Sequence, residues 1–197
     1  MKIYKTQGFT VLELMVVITI TGLLTMIAVP AVFDFLENNR IKSQMFEVLN
    51  AINTARSEAI KRKNTVTICR VADPDAGTPV CGSSAANTWT TGWFIFEDMD
   101  GDGNYDPGDG DDPIAKGNPA LKTLTVITNG TSNNNLQYKP DGTTKEGGGT
   151  ARFAICDDRG GTVGRQINVP PVGRANLFEG KDGNAVDCAD PDNTPVT

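Results

Sequence analysis

An uncharged, mostly apolar run of 20 residues from Leu14 to Phe33 constrains this chain more than any other feature. A helix of about 20 such residues spans the ~30 Å hydrocarbon core of a bilayer, so this part of the chain must fold with lipid as its solvent. Glu13 stands at the mouth of the run. A carboxylate within a span costs on the order of 2.5–3.5 kcal/mol on insertion scales and as a rule has a partner. Lys2 and Lys5 precede the run, which favours a cytoplasmic N-terminus with everything after Phe33 on the far side.

A secretory signal peptide places its small-residue cleavage site after an apolar core of about 7–15 residues. Here the small-residue junction, Gly8-Phe9, comes before a longer core. The segment Gly8-Phe9-Thr10-Val11-Leu12-Glu13-Leu14 resembles the class III signal of type IV pilins and type II secretion pseudopilins. That resemblance implies a leader, residues 1–8, cut between Gly8 and Phe9 by a prepilin peptidase, with N-methylation of the new Phe9 amine. It implies that Glu13 pairs with the Phe9 amine of a neighbouring subunit as the helix leaves the inner membrane for a filament. Pro30 falls where such pilins carry a helix-kinking proline. The implied partners are other minor pilins, a major pilin, the peptidase and the inner-membrane assembly platform.

Residues 34–62 continue the helix. Phe35, Leu36, Ile41, Met45, Val48, Leu49, Ile52, Ala55 and Ala59 recur at three- and four-residue spacing, the signature of one helical face. Glu37, Arg40, Lys42, Glu47, Asn53 and Arg56 occupy the others, as an amphipathic helix packed on a domain requires. A continuous helix over residues 9–62 would run about 80 Å at 1.5 Å per residue, with a bend expected near Ala28 to Pro30 because proline removes a backbone donor. Beyond Arg62, runs at 65–69, 92–96, 121–126, 152–156 and 165–169, and a last one near 173–178, have strand-like length and β-branched or aromatic content. Turn-rich connections separate them, most clearly 129–135 and 141–150. The expected fold class is α+β: a long N-terminal helix, spanning over about 9–33 and amphipathic over 34–62, packed on an antiparallel β-sheet head made of residues 63–197.

All four cysteines lie after the span, in keeping with an oxidising compartment such as the periplasm. Four cysteines allow three connectivities. The local pairing, Cys69 with Cys81 and Cys156 with Cys188, is expected, since each would tie a loop to a strand edge. The chain has no histidine, which removes the commonest general base and weakens a zinc reading. It also lacks a Gly-rich phosphate loop ending in Lys and a Gly-x-Ser-x-Gly elbow. An enzyme is not expected.

Asn53-Thr54-Ala55-Arg56-Ser57-Glu58-Ala59, Val66-Thr67-Ile68-Cys69, Trp89, Gly92-Trp93-Phe94-Ile95-Phe96-Glu97-Asp98, Ile155-Cys156-Asp157, Gly164-Arg165 and Val172-Gly173-Arg174 together resemble the GspH/FimT/FimU group of minor pilins. The cysteines bring the likeness nearer to the FimU-type members. The resemblance implies a non-catalytic subunit that primes a type IV pilus or sits at its tip, the alternatives being a GspH-type pseudopilin of type II secretion or a DNA-binding FimT-like pilin. FimT-like pilins bind DNA through a Gly-Arg-x-Arg motif, whereas this chain has Gly173-Arg174-Ala175-Asn176 and lacks the second arginine. Residues 63–197 carry 11 Lys/Arg against 19 Asp/Glu, while DNA binding calls for a basic patch. Arg159, Arg165 and Arg174 are the residues such a patch would use, and solvated surface arginines are the simpler reading.

The acidic stretch Asp98-Met99-Asp100-Gly101-Asp102-Gly103-Asn104-Tyr105-Asp106, with Asp109 beyond it, suggests a calcium site. Counting Asp98 as position one puts Asp100, Asp102, Asp106 and Asp109 at positions three, five, nine and twelve and Gly103 at six, the spacing of an EF-hand-type loop except for Asp in place of Glu at twelve. From Glu97 to Asp112 there are eight carboxylates and no Lys or Arg, so the isolated loop repels itself. Asp, Asn and Gly also form ordinary solvated turns, which is the competing reading.

Overall fold

The computed structural model describes residues 8–73, 77, 79–82, 88–117, 120, 124–129, 134–145, 149–180 and 185–191. Helix α1 runs from Val11 to Arg62 and stays helical through Gly22 and Pro30. Thr10 begins it as a capping box: its Oγ1 accepts from the Glu13 amide at 3.2 Å, while Glu13 Oε2 accepts from the Thr10 amide at 3.5 Å. Lys61 and Arg62 in the last turn complement the helix dipole, and Lys63 in the left-handed region, φ 57°, ends the helix.

The chain forms two compact units, residues 1–40 and 41–197. In the first, the threonines of the apolar run fold their polarity inward. Thr19, Thr21 and Thr25 donate their hydroxyls to the carbonyls of Met15, Val17 and Thr21 at 2.8–3.0 Å. Such back-bonding satisfies a hydroxyl without water.

The second unit holds eight strands: β1 (Val66–Arg70), β2 (Trp93–Glu97), β3 (Asp112–Lys116), β4 (Thr125–Thr128), β5 (Asn135–Tyr138), β6 (Ala151–Cys156), β7 (Arg165–Val169) and β8 (Asn176–Glu179). They make two four-stranded sheets, ordered β3-β2-β1-β5 and β4-β6-β7-β8, and every pairing is antiparallel. The antiparallel β-sheet head expected from the sequence is thus made of two sheets. Two strands escape the sequence pattern. β3 contains Pro113, tolerated because β3 is an edge, and β5 follows the Asn-rich stretch that reads as a turn. Of the run expected at 121–126, residues 121–123 lie outside the described residues, and the strand begins at Thr125.

One core joins the parts of this unit. From the helix come Ile41, Met45, Val48, Ile52, Ala55 and Ala59; from the first sheet Ile68, Ile95, Leu136 and Tyr138; from the second Val126, Phe153, Ile155, Ile167 and Val169. Trp89 packs edge-on against Phe153, centroids 5.0 Å apart. Ala51, Ala55 and Ala59, all buried, recur every four residues on one face of the helix. Disulfides join Cys69 to Cys81 and Cys156 to Cys188, with Cα atoms 5.6 and 6.1 Å apart. The first lies in a smaller cluster with Val71, Phe94, Phe96 and Tyr105, the second beside Ala154, Val186 and Phe178.

Candidate functional site

At the N-terminus, Gly8, Phe9 and Thr10 precede the helix and are exposed, and residues 1–7 lie outside the described residues. Phe9 is 86% exposed, and large apolar side chains from Val11 to Phe33 are exposed throughout. Among the described residues α1 is the one helix long and apolar enough to cross a membrane. Glu13 sits in the first turn, held by the capping box. That local role is legible in the Thr10-x-x-Glu13 spacing of a capping box and stands beside the inter-subunit pairing that the resemblance implies. Pro30 lies within the unbroken helix.

The second candidate is the acidic loop between β2 and β3. Its two ends are fixed from inside the fold. Asp98 is fully buried, and its Oδ2 accepts from Thr67 Oγ1 on β1 at 2.6 Å, Gln137 Nε2 on β5 at 2.9 Å and the Gly103 amide at 3.1 Å. Burial pushes its carboxyl up, opposed first by the Thr67 hydroxyl. Asp111, also buried, accepts from the amides of Met99 and Asp106 at 2.9 Å each. Gly103 has φ 85°, and a Cβ there would stand 2.4 Å from Asn135 Nδ2, so both backbone and space demand glycine.

One oxygen from each of Asp98, Asp100 and Asp102 lies within 4.8 Å of the others. Asp100 Oδ1 accepts from the Asp102 amide at 3.1 Å, and Asp102 takes the amide and side chain of Asn104 at 2.7 and 2.9 Å. Asn104 holds the Asp102 carboxyl below the usual range. Asp106 and Asp109 do not join this group. Asp106 Oδ1 caps the short turn Pro107–Asp109 through the Gly108 amide, and Asp109 is exposed, its carboxyl raised chiefly by the charge of Asp106.

The charge of the loop is partly answered from elsewhere in the chain. Arg62, at the end of α1, donates to Glu58, Glu97 and Asp112 at 2.8, 2.6 and 2.8 Å, which raises its own pKa, with Glu58 the largest cause. Lys145 Nζ donates to the Gly101 carbonyl. Neither contact follows from the local sequence of the loop.

The three arginines of the DNA reading are spoken for or dispersed. Arg159 pairs with Asp157 at 2.7 Å. Arg165 lies 3.3 Å from Glu179 and donates to the carbonyls of Val163 and Gly164. Arg174 is exposed. Gly173 before it is structural: it has φ 77°, a Cβ there would stand 2.0 Å from the Gly142 carbonyl oxygen, and its own carbonyl accepts from Tyr138 Oη at 3.3 Å.

A helix packed by its second half on antiparallel sheets, led by an exposed apolar half that begins at a Gly-Phe junction, defines a type IV pilin-like subunit. Residues 3–29 match the prokaryotic N-terminal methylation motif, and residues 46–173 match the model of the Type II transport protein GspH. The chain belongs to that family, the GspH/FimT/FimU-type pilins, whose members are structural subunits. Two crystal structures of the type IV minor pilin FimU of Pseudomonas aeruginosa (strain PAO1) share its fold at 24% identity. One, in space group P21, has a TM-score of 0.54, covering 73% of this chain and 92% of that one. The other, in P65, has a TM-score of 0.50, covering 70% and 91%. Among curated proteins no sequence matches the chain.

Proposed function

We propose that this chain is a minor type IV pilin, a non-catalytic subunit that helps prime a pilus or sits at its tip after removal of residues 1–8. The observation that carries this reading is the first half of α1, whose large apolar side chains are exposed. Such a face needs lipid or the helices of other subunits. Before assembly the subunit is a single-pass inner-membrane protein with its disulfide-bonded part in the periplasm; afterwards it belongs to a surface fibre built with a major pilin and other minor pilins. Gly8-Phe9 is the processing site, Phe9 the methylated terminus and Glu13 the residue that meets the amine of a neighbour.

Glu13 tests the proposal, because its capping and pairing roles separate by chemistry. Glutamine serves at this position of a capping box as glutamate does, but it cannot form an ion pair. Glu13→Gln is therefore expected to insert and fold normally while its recovery in sheared surface fibres falls at least tenfold. Unchanged recovery would limit Glu13 to capping. The family's association with type II transport favours a second reading as a pseudopilin. The same pull-down separates the two, since a pseudopilin would be missing from surface fibres and its deletion would stop protein secretion instead.

A further inference from the structure

The acidic loop carries one observation that turn chemistry does not explain. Asp98 is fully buried and spends one carboxylate oxygen, Oδ2, on three donors. Its other oxygen, Oδ1, is buried and accepts no well-formed hydrogen bond among the described residues, although the Gly101 amide lies near enough to the carboxyl to favour its charged form. A buried carboxylate oxygen without a well-formed donor is costly, and a solvated turn has no use for it. The exposed carboxylates of Asp100 and Asp102 approach the same carboxylate, one oxygen of each residue lying within 4.8 Å of the others. Oxygens bound to a calcium ion at about 2.4 Å stand at most about 4.8 Å apart.

We propose that Asp98, Asp100 and Asp102 form a calcium site in this subunit, with Asp98 Oδ1 as its buried ligand and the remaining positions taken by main-chain oxygen and water. The class of ion follows from the donors. They are all hard oxygen, without nitrogen or sulfur, which suits calcium rather than zinc or copper. Magnesium demands near-ideal octahedral geometry and gives up its waters reluctantly, and three carboxylates on a six-residue turn enforce no such symmetry. Asp106 and Asp109 are not ligands, so the site is a half-loop rather than the full twelve-residue arrangement, and affinity in the range of extracellular modules, about 10⁻⁴–10⁻³ M, is expected.

The ion would act on the fold through Asp98. That residue already joins β1 to β5 through Thr67 and Gln137, and Gln137 also reaches the Gly101 carbonyl at 3.3 Å. Neutralising the three carboxylates would lock the loop onto the first sheet. Lys145, which donates to the Gly101 carbonyl, brings a positive charge to the same turn without the ion and competes with it.

The test uses the full chain in detergent micelles, with calcium titrated calorimetrically and melting followed in calcium, magnesium and sodium at matched ionic strength. Asparagine at 100 and 102 keeps the oxygens that accept from the Asp102 and Asn104 amides, so Asp100→Asn/Asp102→Asn retains the turn. The expected results are one saturable calcium per chain, a rise of several degrees in melting temperature that magnesium does not match, and affinity at least tenfold weaker in the double variant. Asp109→Asn, which removes a nearby charge but no ligand, should leave affinity within about twofold. Lys145→Gln should tighten it. Equal shifts from all three cations would overturn the proposal in favour of screening, as would equal weakening by Asp109→Asn and by the double variant.

Discussion

The two halves of α1 share one secondary structure and opposite environments. From Val11 to Phe33 the large apolar side chains are exposed, Met26 by 80% and Ile27 by 70%, whereas Ile52, Ala55 and Ala59 are fully buried. The difference lies in how the apolar residues are distributed around the axis. The first half is apolar on every face, so no single packed surface could cover it. The second is apolar on one stripe only, with Glu47, Asn53 and Arg56 on the others, and one domain suffices. The first half, rich in β-branched residues, is helical because a span must satisfy its own backbone; the second is helical because its stripe packs on a domain.

The largest expected effect breaks that comparison directly. Ile52→Ala removes a fully buried side chain at the centre of the core and should cost about 3–4 kcal/mol, lowering the thermal midpoint of the full chain in micelles by about ten degrees. Ile20→Ala, in the exposed half, should leave that midpoint unchanged and show itself only in membrane retention or fibre assembly. Equal losses of stability at both positions would mean that the first half is packed in the subunit after all.

The disulfides sharpen the contrast within the second unit. Cys156–Cys188 closes a separation of 32 residues and Cys69–Cys81 one of 12. In the chain-entropy account these are worth roughly 3.5 and 3 kcal/mol. The surroundings widen the gap. Cys69 lies inside a cluster with Phe94 and Phe96, which holds its strand in any case, while residues near Cys188 offer Val186 as their main buried anchor. Cys156→Ser/Cys188→Ser should therefore expose the chain beyond Gly180 to protease at concentrations that leave Cys69→Ser/Cys81→Ser uncut there. Cleavage at that segment in both variants alike would show that the bridge does not tether it.

Much of this was legible in the sequence for a physical reason. The uncharged run, the amphipathic stripe and the strands β1, β2, β6 and β7 are local patterns of apolar residues, which report the apolar surroundings an element needs; of the stripe, Ile41, Met45, Val48, Ile52, Ala55 and Ala59 are buried in the domain, while Phe35 and Leu36 are exposed. β3 and β5 were not legible. Their pairing is set by a neighbouring strand rather than by their own residues, one carrying Pro113 and the other beginning in a run of asparagines. The acidic loop divides in the same way. The spacing picked out Asp98, Asp100 and Asp102, which fold together because Gly103 turns the chain back. It could not tell that Asp106 caps a turn, nor that Asp111, with no place in the spacing, is the buried residue closing the loop. Thr67, Gln137, Arg62 and Lys145 come from distant segments and enter only with the tertiary fold.

Arg62 gives the smallest expected effect and the finest test of where the helix meets its domain. It donates to Glu58 one turn back and to Glu97 and Asp112, the residues that open and close the acidic loop. Glu97 and Asp112 are also cross-strand partners, so two like charges face each other across β2 and β3, an arrangement that destabilises a sheet unless a cation lies between them. Arg62→Met keeps much of the side chain's apolar length and removes that cation. Because the pairs are partly solvated, the loss should be modest, about 1–2 kcal/mol. Its pH dependence identifies the cause. Arg62, the largest influence, and Lys61 depress the Glu58 carboxyl in the folded state, so this contribution is present above the unfolded glutamate value, about 4.3, and disappears as pH falls through the lower folded value. The parent and Arg62→Met should accordingly differ at pH 7 and converge on acidification below about pH 4. A difference in stability that persisted undiminished at pH 2–3 would assign the role of Arg62 to packing of its stem rather than to its charge.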